Sequence, residues 1–331
     1  MTMYQNPIPA VIRTCAETPC MQRIKAVGMN CGCEYTAFPR FANLSPYSRF
    51  DHSVGVAGIV WHFTHDEKQA IAGLLHDVAS PVFAHVVDFL RGDYLVQEST
   101  EDGTAAIIAG DEALQSILRA HGLSTDDVCD YHRYPIADND SPRLSADRLE
   151  YTLGNLLNYR IRTPDEVRAF YADLRVGTNE DGAPELVFSD AARAEDFAFA
   201  SLECSKIYVS DEDRYAMQIL SELLKNALEL GVLSEADLNS AEPAVIAKLL
   251  RDERTAAEWA AFRSCRAIRR ADAPEGEGRW RRIAAKKRYI DPLIENVGRV
   301  SAYSAPFQKA VSAFLLDPQT EWLTAENLHI I

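Results

Sequence analysis

Ala70-Ile71-Ala72-Gly73-Leu74-Leu75-His76-Asp77 runs apolar for six residues and then stops on an imidazole and a carboxylate. Buried without partners, each of those groups costs about 2–7 kcal/mol. A divalent cation shared with ligands from elsewhere in the chain removes that cost, and it gives water a place to be activated. Outward from this stretch, His52 lies upstream, on a segment with Val56, Ile59, Val60 and Phe63 along one side. Asp147 lies downstream, on the segment that opens at Ser145. All three segments have helical spacing of their apolar residues.

The rest of the chain is patterned mostly as helix. Helices are expected over 8–30, 48–64, 66–78, 82–91, 99–120 and 124–132, and from Ser145 to about Tyr159. Ser80-Pro81 forces a break after the His-Asp pair. Residues 31–48, rich in Gly, Pro, Asn and Ser, read as a hairpin or loop. Leu174-Arg175-Val176 and Leu186-Val187-Phe188, separated by Asn179-Glu180-Asp181-Gly182, predict a hairpin near 173–189. Helices follow over 190–209, 211–230, 253–270 and 305–316. A basic, strand-like segment lies near 279–291, with Arg282–Ile290 as its strand. The expected architecture is mostly α, with small β pieces. A helical core over 1–160 carries the candidate ligands, and an accessory helical region over 161–331 carries the hairpin.

Composition sets outer limits. The 331 residues are 47% hydrophobic and 25% charged, enough for one large core or two smaller ones. No apolar run approaches the roughly 18–20 residues that span a bilayer, and Met1–Pro7 has no signal-peptide pattern. A soluble cytoplasmic protein with no membrane partner is expected. The net charge of −15 repels a nucleic acid polymer. Against that background, residues 263–299 carry 11 Lys/Arg and 5 Asp/Glu. Such a segment suits a phosphate or an acidic neighbouring subunit, and equally a solvated face. Seven cysteines, odd in number and scattered, argue against a disulfide framework. Cys31-Gly32-Cys33 lacks the paired knuckle of a zinc site, and reduced thiols pack well as small hydrophobes.

Taken together, His52, His76-Asp77 and Asp147 resemble the His…His-Asp…Asp signature of the HD-domain superfamily of metal-dependent phosphohydrolases, a helical-bundle family. Arg49-Phe50-Asp51-His52-Ser53-Val54-Gly55-Val56, Leu74-Leu75-His76-Asp77-Val78 and Asp147-Arg148-Leu149-Glu150-Tyr151 are similar to its successive motifs. Thr18-Pro19-Cys20-Met21-Gln22-Arg23-Ile24 resembles an upstream segment of the deoxynucleoside-triphosphate triphosphohydrolase branch. The resemblance implies that His52, His76, Asp77 and Asp147 hold one divalent ion. Mn, Mg, Fe, Ni, Co and Zn all suit two imidazoles and two carboxylates. It implies further that Asp77 orients the attacking water, that Arg49 and Arg148 hold phosphate, and that Tyr151 contacts a sugar. The implied substrate is a small phosphorylated metabolite, a nucleotide in this branch. The implied assembly is a homo-oligomer.

Three positions depart from the family. Ser80 stands where His or Glu assists proton transfer, Gln97 where the branch has His, and Asn155 where it has Asp. A serine hydroxyl does not titrate usefully near pH 7. His85, Asp88 and Glu98 remain as proton carriers. Asp88 is the favoured catalyst, and His85 reads as a group that fixes a ligand through a hydrogen bond. Glu98 could equally cap the helix beginning at Ser99. Two functions follow. One is a metal-dependent hydrolase of a phosphoester or phosphoanhydride; the other is a protein that binds metal and nucleotide as a sensor or partner-binding module without turnover.

Overall fold

The structure, a computed structural model, describes residues 8–92 and 103–326. It is built mainly of helices, and their ends are written in local hydrogen bonds. Ser48 and Asp51 form a reciprocal capping box that opens the helix Arg49–Thr64. Asp66 caps Glu67–Leu75, and Ser145 caps Ala146–Asn158. The helix of the opening stretch ends at Leu75, so His76 and Asp77 occupy the turn that follows it. Phe83 and Ala84 take left-handed backbone before the short helix Val86–Arg91, which stops at left-handed Gly92.

Helix Arg49–Thr64 packs on Glu67–Leu75 and on Ala146–Asn158. Gly73 permits the first contact: a Cβ there would lie 3.2 Å from Val56 Cγ1, tighter than packed carbons sit comfortably. This places His52, the His76-Asp77 turn and Asp147 around one space. One buried core holds Val56, Ile59, Leu74, Leu149, Phe188 and Phe197. A second holds Phe38, Phe83, Tyr215, Leu220, Trp259 and Phe262. Both cores draw on residues from either side of position 160.

Two small sheets complete the fold. The hairpin pairs Leu174–Thr178 with Pro184–Phe188, Leu174 opposite Phe188. Leu293–Ile294 extends it in parallel and Gly298–Arg299 closes the edge. The second sheet centres on Trp322–Ala325, between Ile268–Ala271 and Arg281–Arg282. Among the described residues, no helix is long and apolar enough to cross a membrane.

Several expected elements are corrected. The helix over 8–30 is Ala10–Ala16 followed by Pro19–Arg23, because Thr18-Pro19 starts a new helix. Of the hairpin or loop expected over 31–48, the structure has the loop. Those residues make a 3₁₀ turn at Cys33–Tyr35 and a loop pinned by a single bridge between Gly28 and Ser48. The helix expected to 270 stops at Ser264, and the next residues join the second sheet. The strand expected over Arg282–Ile290 reduces to Arg281–Arg282. Beyond it the backbone uses other partners: Ala285 N donates to the Gln319 side chain and Asp291 N to the Pro142 carbonyl. A helix over Pro164–Asp173, which periodicity did not single out, is opened by the Thr163–Glu166 capping box. All seven cysteines are free thiols.

Candidate metal centre

Three elements bring four donors together. His52 Nε2 lies 3.0 Å from Asp147 Oδ1 and 3.9 Å from Asp77 Oδ2. His76 Nε2 lies 3.5 Å from Asp77 Oδ2 and 3.9 Å from Asp147 Oδ1. An ion bound at about 2.1 Å sets neighbouring donors about 3 Å apart and opposite donors about 4 Å apart. His52, His76 and Asp147 have the spacing for one divalent ion, while Asp77 Oδ2 approaches both imidazoles but lies outside that mutual set. Among the described residues, His52, His76 and Asp147 hold ligand atoms that all lie within 4.8 Å of one another.

Each imidazole is aimed by its other nitrogen. His76 Nδ1 meets the Gly73 carbonyl at 2.7 Å, which requires Nδ1 to carry the proton. His52 Nδ1 meets Glu150 Oε2 at 2.6 Å. Glu150 also accepts a hydrogen bond from Tyr47 Oη. Such partners fix the ring and leave Nε2 for the ion. Gly55 makes this possible, because a Cβ there would collide with the Glu150 carboxylate.

Charges at the centre are strongly biased. Burial works against the charge on Asp77, but Arg49, His76 and His52 outweigh it and hold its carboxyl far below the usual range. Desolvation works against half-buried Asp147 as well, but its hydrogen bond to His52 brings it down to about 2. Burial pushes His52 down, yet hydrogen bonds to Asp147 and Glu150 prevail and raise it to about 10. Arg49 Nη1 donates to Asp77 Oδ2 at 2.8 Å, and Ser80 Oγ donates to Oδ1 at 2.7 Å. Arg49 Nε is buried and has no hydrogen-bond partner among the described residues.

The other expected residues fall into place unevenly. His85 Nδ1 meets Asp88 Oδ2 at 2.8 Å. Asp88 is 0% exposed while the His85 side chain is 22% exposed, so the carboxylate stands behind the imidazole. Burial lowers the His85 pKa, and the charges of Arg49 and Arg288 add to that effect against Asp88. The ring of Tyr151 lies 6.4 Å from that of His52 and 6.2 Å from that of Tyr208. Arg148 is turned onto the loop before its helix. It donates to Asn139 and to the Arg143 carbonyl, and pairs with Asp138 at 3.1 Å. Contact with a phosphate requires those bonds to be given up. Glu98 and Gln97 lie outside the described residues. Asn155 donates to Tyr208 Oη at 2.7 Å.

Sequence reasoning missed two contributors. Glu150 was hidden by its ordinary place in a helix, although it lies one turn beyond Asp147 and so on the same face. Arg23 donates to the carbonyls of Val78 at 2.7 Å and Ser80 at 2.9 Å, tying down the turn after the His-Asp pair.

No family model matches the chain. An uncharacterized Bacillus subtilis (strain 168) protein, YdhJ, is 29% identical over 203 residues, 60% of this chain and 60% of that protein. This chain therefore spans less than two thirds of that relative. The metal-dependent phosphohydrolase cns2 of Cordyceps militaris is 25% identical over 266 residues, 77% of this chain and 73% of that protein. A crystal structure of a phosphohydrolase from Bacteroides thetaiotaomicron superposes with a TM-score of 0.69 at 14% identity, covering 98% of this chain and 97% of that one. That likeness speaks for the fold, a mostly helical architecture with a small β-hairpin.

Proposed function

We propose that the protein is a metal-dependent phosphohydrolase acting on a small phosphorylated metabolite, with a nucleotide as the favoured substrate. The observation that carries this reading is the convergence of His52, His76 and Asp147, whose ligand atoms all lie within 4.8 Å of one another, with Asp77 Oδ2 within 3.9 Å of both imidazoles. The sequence relative named as a metal-dependent phosphohydrolase supports the same reaction class.

When bound, a divalent ion lowers the pKa of water and polarises a phosphoryl oxygen. The residues do the rest. Asp77, held at both oxygens by Arg49 and Ser80, orients the attacking water. Arg49 keeps Nε for a phosphate oxygen, an atom with no partner of its own. His85, its Nδ1 held by buried Asp88 and its pKa lowered by burial, offers a neutral Nε2 that accepts a proton during the reaction. Tyr151, beside His52, offers a ring face and a hydroxyl to the substrate's sugar.

The sensor reading rests on Ser80 and Asn155. Each is engaged in a hydrogen bond within the protein, and neither titrates near neutral pH. The His85–Asp88 pair weighs against it, because it supplies a proton carrier that the substituted positions lack. Purified protein loaded with Mn²⁺ and offered phosphomonoesters, phosphodiesters and nucleoside mono-, di- and triphosphates decides between them. Release of phosphate or a polyphosphate, abolished by Asp77→Ala, is expected. Intact metal and tight nucleotide binding with no release across the panel sinks the hydrolase in favour of the sensor.

A further inference from the structure

Residues 285–291 form a strap beside the metal centre, fastened at both ends. At one end Ala285 N donates to Gln319 Oε1 at 3.0 Å, and Gln319 Nε2 donates to the Val209 carbonyl at 3.2 Å. Val209 follows Tyr208, whose ring lies 6.2 Å from that of Tyr151. At the other end Asp291 N donates to the Pro142 carbonyl at 2.8 Å, in the loop ahead of the Asp147 helix. Between the two, Lys287 Nζ donates to the carbonyls of Phe314, Leu315 and Asp317, and Ile290 is buried in the core that holds Leu149. We propose that Arg288, the half-buried arginine in the middle of this strap, is a substrate-binding residue of the metal centre that takes the phosphoryl oxygens of a nucleotide. The assignment rests on the reading of that centre as a nucleotide site.

Three observations support the assignment. First, Arg288 has no ion pair and no side-chain hydrogen bond among the described residues. Other arginines of the same basic stretch are engaged: Arg270 with Asp211, Arg279 and Arg281 with Glu222, and Arg299 with Glu180 and Glu185. Second, the charge of Arg288 is felt inside the site. Burial lowers the His85 pKa, and Arg49 and Arg288 both add to that effect. Burial raises the Tyr151 hydroxyl to about 12, and Arg148 and Arg288 both oppose it. The guanidinium therefore acts on the two side chains that stand ready for proton transfer and for the sugar. Third, the other arginines at the centre bring no surplus charge. Arg49 faces Asp77 at 2.8 Å and Arg148 faces Asp138 at 3.1 Å. An incoming phosphate needs a further cation, and a planar guanidinium suits its oxygens in pairs. The fastened strap holds that side chain's backbone in place beforehand, which reduces the ordering that binding must impose.

The test uses the full-length, Mn²⁺-loaded protein, titrated calorimetrically at low salt. The probes are adenosine and guanosine triphosphate analogues with methylene groups in place of their ester and bridging oxygens. Arg288→Met keeps the length of the side chain without its charge, and Arg288→Lys keeps the charge without the fork. A hydrogen bond to a charged group carries about tenfold in affinity or more, so Arg288→Met is expected to weaken the better-bound probe by at least that factor. Its melting temperature and metal content should match those of the natural chain. Arg288→Lys should recover a clear part of the loss. Unchanged affinity in Arg288→Met overturns the proposal. Equal losses in the two variants also overturn it, because they assign Arg288 to the shape of the pocket rather than to the anion. Neither result depends on turnover. A chain that binds nucleotide through Arg288 and releases no phosphate defeats the hydrolase and leaves this contact standing, whereas a natural chain that binds neither probe overturns the nucleotide reading and the contact together.

Discussion

Arg49 and Asp77 form a buried ion pair at 2.8 Å, with both side chains only 9% exposed. Removing one member leaves a buried charge uncompensated, which costs about 3–5 kcal/mol. Arg49→Ala is therefore expected to lower the melting temperature and to abolish measurable turnover. Arg49→Lys, which keeps the charge without the fork, should recover the melting temperature more than the turnover. Equal recovery of both in a thermal melt and a phosphate-release assay argues against a substrate contact by Arg49.

Metal uptake should release a proton. With its pKa raised to about 10, His52 is protonated at pH 7 while the site holds no ion. Binding must displace that proton, so affinity rises with pH, about tenfold per unit, and levels off near pH 10. Calorimetric titration of Mn²⁺ in two buffers of different ionisation enthalpy measures the release. A value near zero at pH 7 contradicts this protonation state.

Glu150→Gln should weaken metal binding by about 10–100-fold, although Glu150 is not placed as a ligand. The change loosens the hold on His52 Nδ1 and removes a charge that raises the His52 pKa. Proton release at pH 7 should fall with it. Undiminished Mn²⁺ affinity in equilibrium dialysis shows that Glu150 does not position the ring.

Away from the centre, Glu34 offers a stability test. Burial, reinforced by neighbouring Glu242, raises its carboxyl to about 7. A raised acid stabilises the fold while protonated, so that contribution is complete below its unfolded value near 4.5 and is lost as pH climbs past 7. Glu34→Gln should be close to neutral at pH 4 and stabilising at pH 8, by up to about 3 kcal/mol. Chemical denaturation at the two pH values gives the difference, and equal effects at both remove the carboxyl from consideration.

Much of the fold could be read from spacing. Ser48, Asp66 and Ser145 announce helix starts by the atoms they offer to free backbone N–H groups, and the hairpin was marked by Asn179-Glu180-Asp181-Gly182. The short strands were illegible because long-range partners make them. Ile268–Ala271 and Arg281–Arg282 exist only through Trp322–Ala325. Local pattern holds no trace of that pairing, which is why 253–270 looked wholly helical. At the centre, the four donors stood out as polar groups on apolar helices. The burial order of His85 and Asp88 did not, since which of two side chains lies deeper is a property of packing. Arg148 looked free in sequence because its partners, Asn139 and Asp138, sit in a preceding loop whose path the sequence leaves open.

One short segment reaches both ends of the Asp147 helix. Ser45 is fastened to Asn158 at one end, and Tyr47, two residues on, to Glu150 and through it to the His52 ring. The two ends of the helix therefore share one tether. By thermodynamic reciprocity, any hold that a fixed Ser45 gives to ion binding is matched, factor for factor, by the hold that the bound ion gives to Ser45.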